Sequence, residues 1–223
     1  MYADDMVLMA PSPTALQKLI NCCEEFANSC EIVFNALKSK LMCIKPKLHK
    51  DTIIPQINLN GVPLVIVKTI KYLGAIITDD LKDNKDILRE LRSLYIRGNI
   101  LVKTFKHCSN VVKTLLFKTY CTSFYCSHLW KLYDNTVITR LKTSFNRVFR
   151  MLINLERRAS VSGAMVQANT DGFSCILRKQ LFSFKNRLAN VENNIVKFLH
   201  EGIYFYSSKM FKRWFKDLYA FTQ

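Results

Sequence analysis

The sequence predicts an α+β fold, in which a few short antiparallel strands and one helix occupy residues 1–80 and helices alone occupy the remainder. Three observations lead there. Short apolar runs separated by turn signals fill the first part, and from about Asp79 the apolar period changes to that of a helix and stays there. Charge divides at the same place: residues 1–80 carry 8 lysines against 8 acids, while residues 81–223 carry 25 Lys or Arg against 9 acids, the whole net charge of +16. At 223 residues the chain is long enough for one domain and part of another. Glycine and proline are scarce, and no low-complexity tract or internal repeat occurs.

Taken in order, Met6–Ala10 is an apolar run that predicts a strand, preceded directly by Asp4-Asp5. Pro11-Ser12-Pro13 breaks it, with Ser12 a candidate N-cap and Pro13 suited to the first helical position. Leu16, Leu19, Ile20, Cys23, Phe26, Ala27 and Cys30 then recur at helical spacing, opposite a polar face of Gln17, Lys18, Asn21, Glu24, Glu25 and Asn28. Ile32–Phe34 reads as extended, 35–39 as a turn, and Lys40–Ile44 as a strand ending before Pro46. Asn60-Gly61 is a type I′ signal between Ile57–Leu59 and Val62–Ile66, so a hairpin is expected. Thr69–Thr78 reads as one further strand with Tyr72-Leu73-Gly74 in its middle.

The helical part begins with a face of Ile87, Leu91, Leu94, Tyr95, Gly98, Leu101, Val102 and Phe105, a helix of about 25 residues. Ser109 can cap a second helix running through Phe124 to Trp130, and Asp134 or Asn135 a third through Leu152. Residues 160–172 form the most loop-like stretch. Helices are expected at 173–190 and 192–200, and a last one at 207–220 sets Phe211, Trp214, Phe215, Leu218 and Tyr219 among basic residues. The implied domains are 1–80, 81–158 and 159–223.

Composition narrows the function classes. A basic helical region beside a neutral, acid-bearing one suits a protein that holds a nucleic-acid backbone with one part and does chemistry with the other. An anionic membrane surface is the rival partner, with 207–220 as its contact. No stretch has the length and polarity of a membrane span, and the first ten residues do not form a signal peptide. The eight cysteines contain no CxxC pair and read as reduced core residues of an intracellular protein, nuclear or cytoplasmic. His107, Cys108, Cys121, Cys126 and His128 fit no familiar zinc spacing.

Adjacent Asp4 and Asp5 at the start of a strand repel each other unless a cation relieves them, and hard oxygen donors suit Mg²⁺ or Mn²⁺. A solvated surface turn is the alternative. Tyr2-Ala3-Asp4-Asp5, followed by a strand, a turn and an amphipathic helix, resembles the catalytic hairpin of reverse transcriptases. Asn35-Ala36-Leu37-Lys38-Ser39-Lys40 looks like motif D of that family, and Ile70-Lys71-Tyr72-Leu73-Gly74 resembles motif E, the primer grip. The long helices ending near His128-Leu129-Trp130 are similar to the thumb and C-terminal extension of non-LTR retrotransposon polymerases.

The resemblance implies a partial polymerase palm in 1–80, a helical thumb and a helical extension, and RNA-directed DNA synthesis by two metal ions. It implies that Asp4 holds the metals with Asp5 in support, and that Tyr2 and Ala3 shape the floor under the primer end. Lys38 would neutralise the departing pyrophosphate, with Lys40 its competitor, and Tyr72, Leu73 and Gly74 would hold the primer strand. A face of Arg89, Arg92, Lys103 and Lys106 would track phosphates or be merely solvated; Arg147, Arg150, Arg157 and Arg158 form a second such patch. Partners would be an RNA template, a DNA primer, deoxynucleotide triphosphates and the N-terminal half of the polymerase. The family's motif A aspartate and fingers have no counterpart in these 223 residues, so the polypeptide alone is expected to be inactive. A non-catalytic, basic nucleic-acid-binding remnant is the alternative.

Overall fold

The structure, a computed structural model, describes residues 5–45, 53–202, 206–208 and 211–212. Tyr2, Ala3, Asp4 and most of the expected 207–220 helix lie outside the described residues. The chain forms two compact units, Met1–Tyr72 with Thr78–Leu81 and Leu73–Ile77 with Lys82–Gln223. Leu73–Ile77 thus belongs to the second unit and Thr78–Leu81 to the first.

In the first unit, helix α1 (Pro13–Ser29) starts as its sequence dictates: the Ser12 hydroxyl accepts from the Ala15 amide at 3.2 Å, with Pro13 at the first position. Its inner face is narrower than the apolar period implies. Ile20 and Ala27 are buried, whereas Leu19, Phe26 and Cys30 are exposed. Gln17, expected in solvent, instead meets the backbone of Asn58 twice, donating at 3.0 Å and accepting at 2.9 Å. These bonds tie α1 to the hairpin of β2 (Asn58–Leu59) and β3 (Val62–Pro63), whose Asn60-Gly61 turn has positive φ at both residues as a type I′ turn requires.

Met6–Ala10 is irregular rather than a strand, and only Asp5 lies in an isolated bridge. The expected strand at Lys40–Ile44 shortens to β1 (Lys40–Leu41), which pairs in parallel with β4 (Val65–Ile66). Ile20, Leu41, Ile57 and Leu59 make the small core of this unit.

The expected continuous strand at Thr69–Thr78 is two: β5 (Thr69–Tyr72) and β6 (Ala75–Thr78), separated by a turn at Leu73-Gly74. Leu73 has φ +45° and Gly74 φ +82°, so the chain reverses through the left-handed region. Leucine carries none of the usual turn chemistry, which is why the sequence reads as uninterrupted strand.

The second unit is helical, with α2 (Asn84–Thr104), α3 (Asn110–Cys121), a 3₁₀ turn (Ser127–Leu129), α4 (Asn135–Leu152), α5 (Val161–Gln167), α6 (Phe173–Ala189) and α7 (Asn194–Glu201). The Ser109 hydroxyl caps α3 at the Val112 amide. That helix stops at Cys121, well short of Trp130, and the chain turns through Cys126 at φ +63°. The stretch 160–172 contains α5, capped by Ser160, because Met165 is buried against the core while Ser and Gly disguise the period.

α2 and α4 run in the same direction, with Asn84 bonded to Asp134 at one end and Tyr95 to Ser144 in the middle. Gly98 sits where α2 packs closely against Val148 of α4. A Cβ there would lie 2.5 Å from Cγ1 of Val148, so this helix glycine serves packing. The core between them is aromatic. Phe117 stacks on Phe145 and Phe149 at 5.0 and 4.9 Å, and Phe124 packs edge-on to Phe145 and Phe173. Each such ring stabilises the unit by about 1.5–3 kcal/mol through burial. Phe173 lies on α6, so the expected third domain shares the core of the second. Of the eight cysteines only Cys121 is buried; burial pushes its thiol up to about 11.

His128 follows the turn at Cys126 and stacks on Phe184 of α6 at 4.3 Å, with Arg187 against the same ring. Burial, then the Arg187 charge, lowers its pKa below 6.5. The folded state therefore favours neutral imidazole, and unfolding releases a group that binds a proton more tightly. Stability from this site is full above pH ~6.5 and is lost as pH falls from there through the folded pKa. Thermal melts of the wild type from pH 7.5 to 5 are expected to show a steeper decline than those of His128→Gln, and parallel curves would contradict it.

Candidate nucleic-acid interface

The residues expected to touch the primer are divided between the units: Tyr72 ends β5 in the first, and Leu73 and Gly74 open the second. The Leu73 carbonyl accepts a hydrogen bond from the Tyr125 hydroxyl at 2.7 Å. Gly74 is favoured by its φ, and a Cβ there would lie 3.1 Å from Cε1 of Tyr125, a tight contact with the ring packed against it. Leu73 in the left-handed region costs about 1–2 kcal/mol, which the surrounding contacts offset. Its side chain remains 39% exposed, leaving the turn open to a ligand.

Behind the turn lies a buried polar network that the apolar period of α2 does not disclose. Asp86, 3% exposed, accepts from the Ile76 amide at 2.9 Å, from Trp130 Nε1 at 2.8 Å and from Arg89 Nε at 2.7 Å. Glu90, fully buried, accepts from Arg89 at 3.1 Å and from Arg97 at 2.6 Å. Arg89 also donates to the Tyr125 carbonyl at 3.3 Å and stands over that ring, 5.8 Å from its centroid. Burial disfavours the Arg89 charge, yet Asp86 and Glu90 outweigh it and hold the guanidinium above its ordinary pKa. Arg89, expected on a phosphate-tracking face, is thus turned inward. Asp86 three residues before Arg89, on an otherwise apolar helix face, is the one local signal of it.

Beside it, Asp83 accepts from the amides of Lys131 and Leu132, both at 2.7 Å, and burial raises its pKa against those bonds.

The remaining expected cations stay outward. Arg92 and Lys103 are exposed on α2, and Lys106 is exposed just beyond its end. The adjacent α4 contains Arg140, Lys142, Arg147 and Arg150 and no acid. Between α2 and α4 lies a shallow groove of about 230 Å³ lined by Tyr95, Thr139, Arg140, Thr143 and Ser144. Arg150 is spent on the carbonyls of Glu156 and Ala159.

In the first unit, Asn35 builds the turn before β1. Its side-chain oxygen accepts from the Lys38 amide at 3.1 Å and its carbonyl from the Ser39 hydroxyl at 2.9 Å. Lys38 is exposed at the tip, and Lys40 begins β1, also exposed. Asp5 is exposed. Among the described residues no group of three or more His, Cys, Asp or Glu side chains is gathered as a metal site, and Asp5 alone supplies one carboxylate. Among the described residues, too, no helix is long and apolar enough to cross a membrane.

No protein-family model matches the chain, and neither a curated protein nor a solved structure matches it.

Proposed function

We propose that this chain is the C-terminal part of the palm, the thumb and the extension of an RNA-directed DNA polymerase of the non-LTR retrotransposon type. The observation that carries the reading is the ordered series of Tyr2-Ala3-Asp4-Asp5, the Asn35-built turn presenting Lys38, and an exposed Leu73-Gly74 reversal directly before a basic helical unit. The exposed Leu73 side of the reversal leaves backbone open to approach by a strand of nucleic acid. The exposed apolar side chains of the first unit, among them Phe26, Val33, Leu37 and Val65, suit a palm completed by further strands. In the complete polymerase the aspartates would hold Mg²⁺, which supplies electrostatic stabilisation of phosphoryl transfer. Lys38 would offer a cation to the leaving group.

A second reading is favoured by the charge distribution: a non-catalytic nucleic-acid-binding module using the basic helical unit. Both readings predict binding of a primed RNA template that weakens linearly in log affinity against log salt. The purified 223-residue chain is expected to bind this duplex without extending the primer in Mg²⁺ and deoxynucleotides, and to retain its affinity with Asp4→Asn and Asp5→Asn combined. Sustained extension would overturn the inactivity of the isolated chain. Absence of binding would overturn both readings. Translating the transcript upstream of Met1 separates them: an open frame carrying a strand-borne aspartate and basic fingers supports the polymerase, and immediate stops support the binding module.

A further inference from the structure

We infer that Tyr125 is the positioning residue of the Leu73-Gly74 turn, so that the helical unit itself sets where a primer end is held. The inference rests on the reading of that turn as a nucleic-acid contact. Four observations converge on it. The Tyr125 hydroxyl donates to the Leu73 carbonyl, 52 residues away in sequence, at 2.7 Å. Its ring edge lies 3.1 Å from where a Gly74 Cβ would be, so a side chain at that position would have to push the ring back. The tyrosine is held in turn by Arg89, which bonds its carbonyl and covers its ring, and Arg89 is anchored by Asp86 and Glu90. Finally, Asp86 accepts from the Ile76 amide, so the strand leaving the turn is tied to the same carboxylate.

The consequence is a chain of contacts from the buried acids of α2 through Arg89 and Tyr125 to a backbone carbonyl in the turn. A leucine in the left-handed region has no intrinsic preference for that conformation, and the tyrosine hydroxyl is the group that selects it from outside. Tyr125 itself touches no reacting atom. Its effect is on where the primer terminus lies, not on how tightly the duplex is held.

The test is Tyr125→Phe, which removes the hydroxyl and keeps the ring over Gly74. Hydrogen exchange of the 73–77 amides is expected to accelerate about fivefold, the size of one lost hydrogen bond, while the amides of α2 and α4 are unchanged. With a primed RNA template carrying 2-aminopurine at the primer 3′ end and a second dye at the far end, far-end affinity is expected to stay within about twofold while the primer-end signal is lost. Unchanged exchange at 73–77 would overturn the positioning role. Faster exchange with an unaltered primer-end signal would overturn the link to the primer. A wild-type chain that binds no duplex would overturn the nucleic-acid reading, and the exchange result would still decide whether Tyr125 positions the turn.

Discussion

Asp86→Ala is expected to destabilise the helical unit by about 3–5 kcal/mol, because it strands three donors around a buried site. The carboxylate now receives the Ile76 amide, the Trp130 indole N–H and the Arg89 guanidinium, and its side chain is 4% exposed. Removing it leaves Trp130, itself 6% exposed, with an unpaired N–H, and leaves Arg89 sharing Glu90 with Arg97. Each orphaned polar group costs about 1–3 kcal/mol, more for a charged one. Domains of this size are stable by about 5–15 kcal/mol, so the loss is a large share, equivalent to roughly 10 °C in melting temperature. Asp86→Asn keeps an acceptor for Ile76 or Trp130 and gives up the charge, so its loss should be intermediate. Chemical denaturation of the three proteins checks the order. A loss below ~1 kcal/mol for Asp86→Ala would mean that water replaces the carboxylate.

This network marks the limit of what the sequence discloses. The apolar face of α2 was legible from its period, and Ile87, Leu91, Leu94 and Leu101 are buried as expected. Asp86 and Glu90 lie on that same buried side, where a period count treats every acid as solvent-facing. Arg89 was therefore read as a free cation, although its partners were its own neighbours along the helix. The caps at Ser12 and Ser109 are legible, because each acts within three residues of itself and needs no tertiary information.

The turn at Leu73-Gly74 was hidden for the opposite reason. Leu73 itself does not favour it, and the group that bonds its carbonyl, Tyr125, comes from an irregular segment beyond α3. The expected strand at Met6–Ala10 shows how little a bare apolar run determines, since a strand needs a partner to satisfy its backbone. Of the candidate site, Leu73, Gly74, Lys38 and the outward cations could be located, and the aspartate Asp4 lies outside the described residues. Motif order singles out the residues of the candidate site. It could not tell that the grip-like turn is held by the helical unit.

Reversing two charges on α4, Arg140→Glu with Arg147→Glu, is expected to lower affinity for a primed RNA template roughly ten- to hundredfold near ~0.1 M salt. Both arginines are exposed, one lines the groove beside α2, and α4 offers no acid that either could pair with along its own length. Thr139 and Thr143 add hydroxyls suited to phosphate oxygens on the same groove. Each cation that contacts a phosphate contributes about one unit to the slope of log affinity against log salt, so the slope should fall by roughly two. The substitutions leave the core untouched, and the melting temperature should change little. Lys18→Glu, on the exposed face of α1 in the neutral first unit, supplies the comparison because it alters net charge without altering this groove. If the α4 variant loses no more affinity per charge than Lys18→Glu, binding is a response to net charge alone. A loss specific to α4 instead assigns the phosphate contacts to one face of the helical unit, the face on which Tyr95 and Ser144 already join α2 to α4.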